Sequence, residues 1–185
     1  MAGQRLTDKT ALAANTASAD NFMVVDTSDT TGSSVGTSKK VLSKYIIQTD
    51  KISLNNSEVI ALDDGGSAGE FKELVGAPGV GYIIVPLQIT IIATGAGGTE
   101  GSNKDLFIGY DNDQTASYLY KYGRFAGTLA SGSVKSYQGN QTNIGGSGTN
   151  EATLNNKPLY VWSNGTFNGG WAMDIWVTYQ IVKMT

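Results

Sequence analysis

The side chains that could carry chemistry in this chain are carboxylates, amines, hydroxyls and aromatic rings, because its 185 residues include no His and no Cys. Imidazole and thiolate catalysis, and the metal centres those groups hold, are excluded. Four carboxylates lie close together in sequence, Asp63-Asp64 and Glu70/Glu73. A glycosidase needs two carboxyls converging on one groove. Nothing in this spacing makes them converge, and solvated turns and strand edges account for them. Asp111-Asn112-Asp113 begins like a calcium loop, but the sixth and twelfth positions hold Ala116 and Tyr122 where Gly and Glu are needed. An Asx-type turn is the reading. The run Thr94-Gly95-Ala96-Gly97-Gly98-Thr99 puts Glu100 where a dinucleotide loop needs its third Gly, and no Gly-Lys-Ser/Thr follows. It reads as a flexible loop.

Aromatic rings are the remaining binding chemistry. Tyr118, Tyr120 and Tyr122 alternate, so a strand would put all three on one face. Together with Trp162, Trp171 and Trp176 they suit either a sugar-stacking surface or packing against a neighbouring sheet or subunit. Tyr118, Tyr120, Tyr122 and Trp176 are the candidates for a glycan or subunit contact. No catalytic residue, cofactor site or metal-ligand set is identified, and the expectation is a protein that is not an enzyme.

The elements that must position these groups are mostly strands. Trp171–Lys183 alternates without a break, with Trp171, Met173, Ile175, Val177, Tyr179 and Ile181 on one face. Gly81–Ala93 alternates too: Ile83, Val85, Leu87, Ile89 and Ile91 oppose Tyr82, Ile84, Pro86, Gln88, Thr90 and Ile92. Pro86 cannot donate to a ladder, so it demands an edge or a bulge. Shorter strands are predicted at 58–62, 70–75, 104–110, 117–122, 133–137 and 158–162. Turn signals at Asp63-Asp64-Gly65-Gly66, Asn164-Gly165 and Asn168-Gly169-Gly170 separate several of them. The prediction is an all-β, jelly-roll-like antiparallel sandwich over 57–185.

Before it, 1–20 is small and polar, 21–26 and 38–41 read as a hairpin across a Ser/Thr/Gly loop, 42–47 suits a short helix, and 48–57 reads as a polar connector. Residues 1–50 cannot build a core alone, so they are expected to dock on another surface through Phe22, Val24, Val41, Tyr45 and Ile46. With 13 basic against 16 acidic residues, the net charge of −3 argues against nucleic-acid and acidic-membrane partners. No apolar run is long enough for a membrane helix, and no signal peptide is read at the N-terminus. The expectation is a soluble protein made in a cytoplasm. Large residues on the second faces of the long strands (Tyr82, Ile84, Ile92, Trp176, Val182) predict a subunit interface and a homotrimer.

The stretches Phe22-Met23-Val24-Val25-Asp26-Thr27-Ser28 and Thr37-Ser38-Lys39-Lys40-Val41 resemble the N-terminal attachment segment of tailed-bacteriophage fibre and head-decoration proteins. Residues 74–86 and 169–182 are similar to the jelly-roll part of such virion proteins. The resemblance covers about a third of the chain. It implies a virion component, made in the host cytoplasm, that docks by its N-terminus on capsid or tail proteins. The two roles it leaves open are capsid decoration or head fibre, and a tail-fibre adaptor for host surface glycan. No catalytic residue carries over.

Overall fold

The structure, a computed structural model, describes residues 21–26, 28, 31, 37–42, 46–63, 70–97, 100, 104–110, 118–127, 129, 131–139 and 154–184. The chain divides into two units, Met1–Ile46 and Ile47–Thr185. In the first, β1 (Asn21–Asp26) and β2 (Thr37–Leu42) form the hairpin expected from sequence, with Asn21 opposite Leu42 and Asp26 opposite Thr37. The short helix expected over 42–47 is not seen where the residues are described. Leu42 closes β2, and Ile46 and Ile47 are irregular.

The second unit is the sandwich. Its strands are β3 (Gln48–Leu54), β4 (Phe71–Val75), β5 (Tyr82–Gly95), β6 (Leu106–Gly109), β7 (Tyr118–Tyr122), β8 (Val134–Gly139), β9 (Leu159–Ser163) and β10 (Trp171–Lys183), and between β3 and β4 lies the helix α1 (Asn56–Ala61). Two four-stranded antiparallel sheets have the orders β3-β10-β5-β8 and β4-β9-β6-β7. Successive strands alternate between the sheets except for the β6–β7 hairpin, which is the connectivity of an eight-stranded jelly roll.

Two local expectations are corrected. Residues 48–54, expected as a connector, are an edge strand paired along β10 from Leu54–Met173 to Gln48–Tyr179. The stretch reads as polar because one face of an edge strand is solvated: Thr49, Lys51 and Ser53 are exposed, while Leu54 is buried. Residues 58–62, expected as a strand, lie largely in α1. Asn55 caps the helix through a reciprocal capping box in which its side chain accepts from the Glu58 amide at 3.1 Å and Glu58 Oε2 accepts from the Asn55 amide at 3.0 Å. Val59 and Leu62, three apart, then face the core.

The core lies between the sheets. Ile89, Ile91, Val161, Ile175, Val177 and Trp171 are fully buried, each side chain contributing about 1.5–3 kcal/mol. At one end Phe125 packs on Tyr137 and Trp171, with ring centroids 4.4 and 5.6 Å away.

β10 keeps the predicted parity throughout, but β5 does not. Its register against β10 jumps from Gln88–Thr178 to Pro86–Tyr179, so Leu87 is an extra, bulged residue. The bulge flips the strand's faces. Ile84 and Pro86 point inward before it, and Ile89, Ile91 and Ala93 after it, while Leu87 is 48% exposed. Ile84 therefore belongs to the core and not to a second face, and Tyr82 also packs against the core. Ile92, Trp176 and Val182 remain on the outward face, half-buried. Pro86 sits beside the bulge, one of the two placements its missing N–H allows. β8 covers β5 only over Ile89–Thr94. The carbonyls of the uncovered portion find other donors: the Asn156 amide donates to Tyr82, the Tyr110 hydroxyl to Ile84 and the Tyr120 hydroxyl to Pro86.

Candidate functional site

Of the carboxylates singled out from sequence, Asp63 and Glu70 are neighbours through their backbones, the Asp63 amide donating to the Glu70 carbonyl at 3.0 Å. Asp63 accepts from Thr166 Oγ1 at 2.6 Å, Glu73 is exposed, and Glu70 lies in a bend before β4. Asp64 and the segment 111–113 lie outside the described residues. Among the described residues no three acidic side chains are grouped to hold a metal ion.

The aromatic candidates separate. Tyr120 and Tyr122 face inward, 2% and 8% exposed, so the opposite sheet covers them. Burial pushes both phenols above their ordinary values. Tyr122 lies edge-on to Phe125 and Tyr137 at 6.0 and 6.2 Å. The Tyr118 side chain is outside the described residues. Trp162 and Trp171 are fully buried. Trp176 is different: it stands half-buried on the outward face of the β3-β10-β5-β8 sheet, beside Lys51, whose Nζ lies 5.0 Å from its ring centroid.

Of the docking candidates, Phe22 is the register partner of Val41 and Val24 lies two residues along β1. Their side chains, and all of Tyr45, fall outside the described residues, and Ile46 is 38% exposed.

A concave feature among the described residues lies next to Trp176 along β10. It is a shallow depression of about 410 Å³, lined by Ser53, Leu54, Asn55, Glu58, Thr94, Ala172, Met173 and Asp174. Asp174 is its most connected group, accepting from Ser53 Oγ at 2.5 Å and pairing with Lys51 Nζ at 2.9 Å. The Ser53 hydrogen bond, opposed by partial burial and reinforced by Lys51, holds the Asp174 carboxyl below its ordinary value. Glu58 pairs with Lys72 Nζ at 2.7 Å, and that ammonium together with the Asn55 amide holds its carboxyl low as well. Both acids are thus kept ionised. General-acid chemistry requires the reverse, a carboxyl raised by an apolar site. Sequence reading missed the depression because Ser53 and Asp174 are 121 residues apart. The one available signal was the capping box that fixes Asn55 and Glu58.

The chain matches no protein-family model, and no curated protein is significantly similar to it.

Proposed function

We propose that this chain is a structural component of a tailed-bacteriophage virion, a capsid decoration or head-fibre protein. Its N-terminal unit attaches to the particle and its jelly roll is displayed. One observation carries the reading: a unit containing a two-stranded sheet precedes a sandwich with its own complete core. A two-stranded ribbon is marginal alone in water and gains stability from a surface to pack on. The sandwich has no such need, and the glycine-, serine- and asparagine-rich stretches of its sequence suit display. The likeness of 22–28 and 37–41 to phage attachment segments points the same way. The outward Ile92 and Val182 fit a subunit contact.

The test is truncation between the two units. Removing 1–46 keeps β3 intact, whereas a cut at residue 50 would remove Gln48–Asp50 from the sheet. The 47–185 chain should fold and fail to incorporate into particles when supplied in place of the full chain. Incorporation at unchanged occupancy refutes attachment by the N-terminal unit.

A second reading, a tail-fibre or receptor-binding adaptor for host surface glycan, is favoured by Trp176, an outward aromatic beside a polar depression.

A further inference from the structure

We propose that the depression bounded by Ser53, Asn55, Thr94 and Asp174 is a binding subsite for a neutral saccharide, extended along β10 by Trp176. The inference rests on the second reading above and names the place and the ligand class.

The charges select against ionic ligands. Each carboxylate at the depression already has its own ammonium, Asp174 with Lys51 at 2.9 Å and Glu58 with Lys72 at 2.7 Å. An anionic sugar would be brought against two carboxylates, and a cation would have to displace two lysines. A neutral polyol does neither. Its hydroxyls can donate to the Asp174 carboxylate, which has lone pairs beyond the two engaged, and accept from Lys51. The Ser53 and Thr94 hydroxyls and the Asn55 amide line the same space. Ala172, outward on β10 beside Asp174, offers a small apolar contact for the C–H face of a pyranose. A volume of about 410 Å³ lies within the range of small-ligand sites, about 300–1,000 Å³.

Trp176 follows Asp174 by two positions on the same face of β10, a step of about 6.8 Å. That step places an indole beside the next sugar ring of a chain lying along the strand. Lys51, whose side chain is 46% exposed, is the movable group above it.

The experiment is a fluorescence titration of the full chain with maltotriose, mannotriose and galactotriose, and with trigalacturonate as the acidic comparison. Trp162 and Trp171 are fully buried, so a change in solvent-exposed indole emission reports Trp176. The expected result is saturable binding of at least one neutral trisaccharide, weakened tenfold or more in Asp174→Asn and with its emission signal lost in Trp176→Phe. Circular dichroism should be unchanged in both variants. Isothermal calorimetry on Trp176→Phe supplies a second binding readout. Binding of unchanged affinity in Asp174→Asn overturns the subsite and leaves glycan recognition standing. Tighter binding of trigalacturonate overturns the neutral class. Absence of binding to all four overturns both the subsite and the adaptor reading, and leaves particle attachment untouched.

Discussion

Truncating Ile84 and Leu87 to alanine in turn separates the bulged strand from an unbroken one. Simple alternation places Leu87 with Ile83, Val85 and Ile89 on one face and Ile84 on the other. The bulge reverses that, leaving Ile84 fully buried and Leu87 48% exposed. Ile84→Ala removes three carbons from the core at about 0.8 kcal/mol each, and the unfilled cavity adds to this, for a total of about 3–4 kcal/mol. Leu87→Ala removes the same number of carbons from a side chain that is already half in water and leaves no enclosed void. Its cost is about 1 kcal/mol or less. Urea unfolding of the full chain, followed by tryptophan emission at constant m-value, measures both. In thermal unfolding, Ile84→Ala should lower the midpoint by about 10 °C, and Leu87→Ala by about 3 °C or less. Equal costs, or a larger cost at Leu87, would refute the bulge and return β5 to the simple parity.

Gly169→Ala should destabilise the sandwich by about 1–3 kcal/mol in the same assay. Its φ is +83°, and a Cβ there would stand 2.6 Å from Ile60 Cδ1 and 2.9 Å from Asn56 Oδ1. Glu100 is 1% exposed and accepts from the Gly169 amide at 3.2 Å and Trp171 Nε1 at 3.0 Å. Glu100→Ala strands both donors at about 1–3 kcal/mol each, while Glu100→Gln keeps an acceptor and should cost less, with Trp171 emission shifting in the alanine variant alone. Acid should destabilise the fold from below about pH 4. The carboxyls of Glu58 and Asp174 are held under their ordinary 4.5 and 3.8, so the stability they contribute is complete above those values and is lost as pH falls through the lower folded-state values. Both side chains are about one-third exposed, so 0.5 M salt should blunt the effect, and a salt-independent acid midpoint would count against it.

Much of the fold is legible in the residues themselves. β10 could be read in full because thirteen residues alternate without interruption, and the pleat turns that alternation into two faces. The β1–β2 hairpin and the positions of β4 through β9 follow from apolar runs punctuated by turn residues. α1 was legible in Asn55 and Glu58 but was outweighed by the apolar run Val59-Ile60-Ala61-Leu62, which a strand pattern fits equally well. β3 was hidden because an edge strand of this sandwich spends half its side chains on solvent, and its identity as a strand comes from β10, 121 positions away across the Ser53–Asp174 hydrogen bond. The inward face of β5 belongs wholly to the tertiary structure. One residue inserted opposite Thr178 and Tyr179 inverts every side chain before it, and only pairing with β10 reveals that insertion. The depression has the same origin. Its lining comes from β3, α1, β5 and β10, segments that the order of the two sheets brings together and that no spacing along the chain could announce.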